Sequence, residues 1–193
     1  MKHYQLPFGK SFQSLSVDGD SGCDLILPNP VKPADRPSEI ISAALDKAEG
    51  LNLMHLHAGT NVAIAVNDKT RPVPHGVILP PLLDWLREKG VSDAGLKFWI
   101  ATGTHLPMPS SEYHLILPGE IIDRYAVESH DINRLENLGY LGVTSRGTPV
   151  SVNRGYYEAD FKIVVGDIEP HHFAGFSGGY KSAAIGLAGR DTI

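Results

Sequence analysis

The sequence is poor in cysteine, with only Cys23 among 193 residues. A single cysteine excludes an internal disulfide and suits a reducing compartment, so we expect a cytoplasmic protein. The lack of paired cysteines also excludes a structural zinc site of the usual kind. No apolar run reaches the length of a transmembrane helix, and the opening residues, MKHYQLPFGK, lack the apolar core of a signal peptide. We therefore expect no membrane partner.

An excess of charge is absent as well, because the formal net charge is −5 and 20% of residues are charged. This balance argues against nucleic acid or an anionic membrane surface as the partner. Hydrophobic residues make up 42% of the chain, which fits a globular protein with a real core. The length suits one ordinary domain or slightly more.

Three apolar runs predict strands of the sheet: Val62–Val66, Leu96–Ala101 and Phe161–Val165. Val62–Val66 is continuous and typical of a strand buried on both faces of a parallel sheet, and Phe161–Val165 predicts a buried strand. Gly76–Lys89 has the spacing of an amphipathic helix. Strands that alternate with helices predict an α/β fold with a mostly parallel sheet, right-handed crossovers and helices on both faces.

The other predicted elements are shorter. They are strands at Phe12–Val17, Cys23–Leu27 and near Arg124–Glu128, helices at Ser38–Glu49 and Ser110–Leu117, and a hairpin over Gly142–Asn153. Ser38 is the expected cap of its helix, and the prolines at positions 28, 30, 33 and 37 form a stiff connector before it. Asp191-Thr192 resembles the cap of a further helix, so residues 1–193 are expected to be the first domain of a longer protein.

Polar loops follow the three buried strands, at Asn67–Pro74, Thr102–Pro107 and Asp167–Lys181. Ligands on parallel sheets bind beyond the carboxyl ends of the strands. We therefore expect the three loops to share one pocket.

The first two loops carry groups for anion binding and proton transfer. Arg71 is suited to bind a carboxylate or phosphate through paired N–H groups, with Asp68 orienting it or a neighbouring group; the alternative is a structural Asp68–Arg71 pair. His105 follows a small, hydroxyl-rich turn and is suited to moving a proton near neutral pH. The alternative for His105 is an ordinary solvated histidine.

The third loop, Ile168–Lys181, reads IEPHHFAGFSGGYK. Its glycines allow positive φ and close approach of a ligand, and the amine of Lys181 can meet an anion or form a covalent bond. His171 and His172 are adjacent, so at most one is expected to face the pocket. A phosphate-binding P-loop needs glycine directly before its lysine, and Tyr180 stands there instead. We therefore reject an ATPase and an ordinary dinucleotide-binding protein as interpretations of this loop.

A further histidine pair, His55 and His57, has the spacing of two metal ligands. No third ligand is apparent nearby in the sequence. We predict a structural or surface role for the pair and assign no metal ligand in this chain.

Four segments together resemble the nickel-pincer lactate racemase family: NDKTRPVP (Asn67–Pro74), ATGTH (Ala101–His105), GTPVSVNR (Gly147–Arg154) and EPHHFAGFSGGYK (Glu169–Lys181). The resemblance implies the N-terminal domain of a racemase or epimerase for a small 2-hydroxy acid. It also implies that a C-terminal domain, outside these residues, completes the substrate site.

The resemblance implies a cofactor as well, a nickel-pincer nucleotide joined covalently to Lys181. His105 and His171 then form the acid–base pair, while Asp68 and Arg71 support them and the substrate. A histidine takes the hydroxyl proton as a hydride moves to the cofactor. The expected holders of the nucleotide are rich in threonine and glycine: Thr70, Thr102, Gly103, Thr104, Gly178 and Gly179.

The sequence departs from the family at Leu106, where arginine is common, so the substrate contacts are expected to differ. The family's nickel-binding histidine falls a few residues beyond Ile193, and we expect these residues alone to be inactive. Two alternatives stay open at this point. One is a non-catalytic domain that binds a nucleotide or anion, and the other is a different metal-assisted hydroxyacid enzyme.

Overall fold

The computed structural model describes residues 1–19, 22, 24, 26–27, 29–48, 53, 56–171 and 175–193. The chain forms two compact units, Met1–Asp35 and Arg36–Ile193. In the first unit, strands β1 (Lys2–Phe8) and β2 (Ser11–Val17) form an antiparallel hairpin. The predicted strand at Phe12–Val17 is confirmed, whereas β1, which contains a proline, was not predicted.

The second unit carries the remaining elements. In chain order they are α1 (Pro37–Asp46), β3 (Val62–Asn67), α2 (His75–Glu88), β4 (Leu96–Ala101), α3 (Gly119–Arg124), β5 (Ala126–Ser129), β6 (Leu138–Val143), β7 (Pro149–Asn153), α4 (Arg154–Tyr157), β8 (Phe161–Val165), β9 (Pro170–His171), β10 (Gly175–Phe176) and α5 (Tyr180–Ala184). Short 3₁₀ helices cover Asp93–Gly95, Ser110–Leu115, Leu135–Asn137 and Arg190–Thr192.

A parallel sheet with the strand order β5-β4-β3-β8 organises this unit. The three strands predicted at Val62–Val66, Leu96–Ala101 and Phe161–Val165 are its members β3, β4 and β8. Strand β3 is buried throughout, whereas β8 is only partly buried and exposes Lys162, because it lies at the edge of the sheet. The chain proceeds outward from β3 to β4 and β5, then returns to place β8 on the other side of β3. The order therefore reverses between β3 and β8, and in open parallel sheets the ligand crevice lies at such a switch point.

Strand β3 alternates large and small apolar residues, and all of it is buried. Val62, Ile64 and Val66 pack into the larger core together with the apolar face of α2. Ala63 and Ala65 face a second core that contains Tyr156 from α4 and Leu187 after α5. The expected α/β fold, with helices on both faces of a parallel sheet, is confirmed.

Several boundaries differ from the sequence predictions. Helix α1 begins at Pro37, with Arg36 at the cap position, so the expected Ser38 cap is wrong; proline suits the first helical turn because it has no N–H to leave unpaired. The predicted helix at Ser110–Leu117 is a 3₁₀ helix, and α3 was not predicted. Because α3 ends at Arg124, the following strand occupies Ala126–Ser129 and does not begin at Arg124 as predicted.

Some predictions fall on residues outside the described ranges. Cys23 and Leu25 are among them, and the described residues of that expected strand, Asp24, Ile26 and Leu27, are irregular. The expected end of the first helix at Glu49 also lies outside. The hairpin over Gly142–Asn153 is confirmed as β6 and β7, with a bulge at Tyr140 and Gly142. In the part of the chain that the structure describes, no helix is long and apolar enough to cross a membrane.

Two buried histidines make the fold sensitive to acid. His75 Nδ1 lies 2.9 Å from the Ile116 carbonyl oxygen, and His130 Nε2 lies 2.9 Å from that of Ala188. Burial is the largest cause that lowers the pKa of each from its ordinary value of 6.5. Below pH 6.5 these two histidines bind protons in the unfolded chain that they do not yet bind in the folded chain. The free energy of unfolding therefore decreases as the pH falls.

We therefore expect the free energy of unfolding to decrease from pH 7 to pH 5. Urea denaturation at several pH values measures it. His130→Gln, which keeps a side-chain amide for Ala188, should flatten this dependence, whereas the matched change at an exposed histidine, His114→Gln, should not. An unchanged slope in His130→Gln would contradict the assignment.

Candidate active site

The loops after β3, β4 and β8 meet at the carboxyl edge of the sheet, as predicted. Asp68 lies where the first two of these loops come together, and its side chain is only 4% exposed. Its Oδ1 accepts hydrogen bonds from the Thr70 backbone N–H at 3.0 Å and from the Thr70 hydroxyl at 2.6 Å. Its Oδ2 lies 2.6 Å from Nδ1 of His105. The buried carboxylate is thus held by its own loop and in turn holds the histidine of the next loop.

This contact assigns the His105 tautomer. A carboxylate is an acceptor, so Nδ1 carries the proton that it shares with Asp68, and Nε2 is left with its lone pair. The His105 side chain is 50% exposed, so Nε2 is available to a bound molecule. The predicted role in proton transfer therefore has suitable geometry, and the solvated-histidine alternative does not describe this ring.

Arg71 belongs to a different pair. Its Nη1 lies 3.1 Å from Oε2 of Glu169, in the loop after β8. The two side chains are 35% and 46% exposed, so the guanidinium keeps an open side toward solvent. The alternative of an Asp68–Arg71 pair is not what the described residues show, because Asp68 holds His105 and Arg71 holds Glu169. The ion pair joins the first and third loops.

The described residues of the third loop include regular hydrogen bonding. Strands β9 and β10 form a two-residue antiparallel ladder in which His171 is opposite Gly175. The Ser177 hydroxyl accepts from the Glu169 N–H at 2.9 Å, and the Ser177 N–H donates to the Glu169 carbonyl oxygen at 2.8 Å. His171 is half-buried on β9. His172 lies outside the described residues, so the choice between the two histidines stays a prediction.

Lys181 is the second residue of α5, a helix that directly follows two glycines with positive φ, Gly178 and Gly179. Its side chain is half-buried. Desolvation, followed by the positive charge of Arg71, lowers the pKa of its amine. A lowered pKa increases the neutral fraction of the amine, which is the form that acts as a nucleophile.

Two of the residues predicted to hold the nucleotide, Thr102 and Gly103, use their polar groups in hydrogen bonds within the protein. The hydroxyl of buried Thr102 donates to the His130 carbonyl oxygen at 2.8 Å, and the N–H of buried Gly103 donates to Gly186 at 2.9 Å. Both groups hold the loop after β4 against the protein, so their predicted contact with a nucleotide finds no support in this geometry. Thr104 is exposed at the same loop.

Gly178 and Gly179 differ in what surrounds them, which gives a matched test. A Cβ at Gly178 would lie 2.1 Å from the Asp167 carbonyl oxygen, whereas at Gly179 no described atom lies within 4 Å. Both have positive φ, at 78° and 54°. We expect Gly178→Ala to lower the free energy of unfolding by about 3 kcal/mol, from strain and collision together. Gly179→Ala should cost less, about 2 kcal/mol, because only the backbone strain at φ 54° and ψ −142° acts there. Equal urea midpoints for the two variants would contradict this packing.

Sequence reasoning missed four polar residues that hold the site together: Asn67, Glu169, Asp167 and Ser182. All of them lie in or beside the predicted loops, but their partners are about a hundred residues away in sequence, as in the 2.7 Å bond between Asn67 Nδ2 and Asp167 Oδ1. Position at the end of a buried strand was the available signal for Asn67. Nothing local pointed to its partners.

The described residues contain no group of three or more histidine, cysteine, aspartate or glutamate side chains arranged to hold a metal ion. His57 uses its ring locally, because Nδ1 accepts from the Gly59 N–H at 3.0 Å. Its expected neighbour, His55, lies outside the described residues.

Fold and site together define an α/β domain with a histidine–carboxylate pair, an arginine and a lysine at the switch point of a parallel sheet. The sequence profile described as the lactate racemase N-terminal domain matches residues 8–193. The chain belongs to this family. It is 33% identical over 192 residues to lactate racemase from Thermoanaerobacterium thermosaccharolyticum and 31% identical to lactate racemase from Lactiplantibacillus plantarum.

Solved structures agree with this placement. The lactate racemase apoprotein from Thermoanaerobacterium thermosaccharolyticum superposes with a TM-score of 0.78 at 31% identity over 97% of this chain. A protein from Thermotoga maritima superposes with a TM-score of 0.62 at 25% identity over 80% of it. The chain covers 45% of each curated relative and 44% and 39% of the two solved chains, so it spans less than half of the proteins it matches.

Proposed function

We propose that this chain is the N-terminal, cofactor-tethering part of a racemase or epimerase for a lactate-like 2-hydroxy acid. The observation that carries the proposal is the buried Asp68 carboxylate holding His105 at the sheet edge where Lys181 also lies. The names of the relatives support the reaction class, since both are lactate racemases. The complete protein would include a further domain that supplies the rest of the substrate site.

His105 Nε2 is the proposed acceptor of the substrate hydroxyl proton. Asp68 keeps Nδ1 protonated and stabilises the imidazolium that forms, and Thr70 holds Asp68 in turn. His171, on the loop after β8, is the proposed partner acid–base group. A racemase has to serve two enantiomers, and two bases on separate loops suit that requirement.

Arg71 is the proposed ligand for the substrate carboxylate. A guanidinium binds a carboxylate through parallel N–H bonds, and Glu169 engages Nη1 of this one. Glu169 thereby orients the guanidinium while its open side faces solvent. Leu106, which is 87% exposed, stands where the family commonly has arginine, so selectivity for the acid is expected to differ from that of lactate racemases.

The proposed cofactor is a nickel-pincer nucleotide attached to Lys181. When bound, it supplies a hydride acceptor and donor, which protein side chains do not provide. The residues present fit such a group: the Lys181 amine has a lowered pKa, and no described atom lies within 4 Å of the position that a Cβ at Gly179 would take. Soft sulfur arms on the cofactor suit nickel as ligands.

The threonine hydroxyls divide between two tasks in this proposal. Thr70 supports Asp68, whereas exposed Thr104, with the loop at Gly178 and Gly179, is placed to meet the nucleotide. The nucleotide contacts first expected of Thr102 and Gly103 are not included, because their polar groups are already bound within the protein.

The experiment that tests the proposal uses the complete protein, coexpressed with enzymes that make the cofactor. Intact-mass analysis should show an adduct that peptide mapping places on Lys181, and the preparation should racemise a single enantiomer of lactate or a related acid. An unmodified lysine in an active preparation would overturn the proposal. Binding of nucleotides with no racemisation would instead favour a non-catalytic binding domain, and activity with a free metal ion would favour another hydroxyacid enzyme.

A further inference from the structure

Asn67 is the last residue of β3 and lies beside Asp68, the residue that holds His105. It is 6% exposed. Its Nδ2 donates to Asp167 Oδ1 at 2.7 Å, and its Oδ1 accepts from Ser182 Oγ at 3.3 Å. Asp167 follows β8, and Ser182 lies in α5 next to Lys181. One carboxamide therefore joins the end of the central strand to both elements that lead to the proposed attachment lysine.

The chemistry of these two bonds explains why the residue is an asparagine. A single group has to donate on one side and accept on the other, and a carboxamide does both in a fixed plane. The surroundings are close-packed: a Cβ at Gly166 would lie 3.1 Å from Asn67 Oδ1 and 3.2 Å from Ser182 Oγ. Among the described residues, Asp167 Oδ2 is enclosed without a hydrogen-bond partner, which makes the bond to Oδ1 the more important for this carboxylate.

We infer that Asn67 is a positioning residue that sets where Lys181 stands relative to the Asp68–His105 pair. Asp68 fixes the acid–base loop from β3, and the neighbouring Asn67 fixes α5 from the same strand end. The position of Lys181 and that of the Asp68–His105 pair are therefore both set by the end of strand β3. The meaning of this inference for catalysis rests on the proposed role of Lys181 in holding the cofactor.

A charge swap tests the inference. Asn67→Asp removes the donor and sets two carboxylates against each other across a distance of 2.7 Å. The double variant, Asn67→Asp with Asp167→Asn, again pairs one amide with one carboxylate, and the two groups have exchanged positions. The carboxylate at position 67 then accepts from both the new amide and Ser182. Asp167→Asn alone leaves an acceptor for Asn67 and is the mild member of the set.

The readout is the chemical reactivity of Lys181 in the complete, cofactor-free protein. Limited labelling with acetic anhydride, quantified by peptide mass spectrometry against exposed Lys89, reports how the amine is presented. We expect Asn67→Asp to lower the labelling ratio about tenfold, because a displaced Lys181 that gains solvent loses the desolvation that lowers its pKa, and less of the amine is then neutral and reactive. The double variant should recover most of it. In cofactor-loading cultures, the adduct on Lys181 should follow the same order.

A purely structural role would lower thermal stability and leave the labelling ratio unchanged, and that outcome would overturn the inference. Failure of the double variant to recover the ratio would do the same. If Asn67→Asp does not fold, Ser182→Ala removes only the 3.3 Å bond and should still reduce the ratio; no reduction there counts against the inference. The labelling needs no cofactor, so an absent adduct in the unsubstituted protein would refute the proposed function separately.

Discussion

Lys181→Arg in the complete protein should abolish both the covalent adduct and racemisation. The variant keeps a positive charge at the second position of α5, but a guanidinium stays protonated and does not form the covalent bond that an amine forms. The effect is expected to be total because, under the proposed function, the hydride step has no carrier without the tethered cofactor. Intact mass and an enantiomer-resolved assay of the same preparation measure the two losses together.

The matched control for that experiment is Lys97→Arg. Lys97 lies on β4 and pairs with Glu128 at 2.8 Å, a bond that arginine also makes. This variant should keep the adduct and the activity of the unsubstituted protein. Substantial racemisation by Lys181→Arg would mean that the lysine is not the attachment point, whatever the control shows.

His105→Asn should lower kcat about 10²–10⁴-fold in both directions of racemisation. Asparagine retains a side-chain N–H for Asp68 at the place of Nδ1 but has no group that accepts a proton where Nε2 was. The two enantiomers have equal free energies, so kcat/KM has to fall by the same factor for each. Initial rates measured from either enantiomer test both statements.

Two companion measurements show where such a loss arises. The adduct on Lys181 should persist in His105→Asn, because attachment and proton transfer use different residues. Thr70→Val, which removes the 2.6 Å bond to Asp68 but leaves His105, should produce a smaller fall in kcat. A variant at His105 with the rate of the unsubstituted protein would exclude this ring as the base.

The sequence alone was sufficient for strands β3, β4 and β8 of the parallel sheet and for the meeting of their loops at one edge, whereas α3 was not predicted. Val62–Val66 is an unbroken apolar run, and the apolar runs of β4 and β8 are interrupted once each, by Lys97 and Lys162. Apolar runs of this kind are typical of strands in a parallel sheet. Polar residues directly after them therefore had to gather at one edge. Four short motifs were enough to indicate the family, and the match over residues 8–193 confirms it.

The partners within the site depended on the tertiary structure. Asp68 was expected to orient Arg71 or a neighbouring group and, from the family resemblance, to support the histidines. It holds His105, in the loop after β4, while Arg71 pairs with Glu169. A role for Asn67 is apparent only from its hydrogen bonds to Asp167, after β8, and to Ser182, in α5. Apolar periodicity is a local property that survives in the sequence, whereas a hydrogen bond between residues 37 to 115 positions apart exists only once parallel strands set their ends side by side.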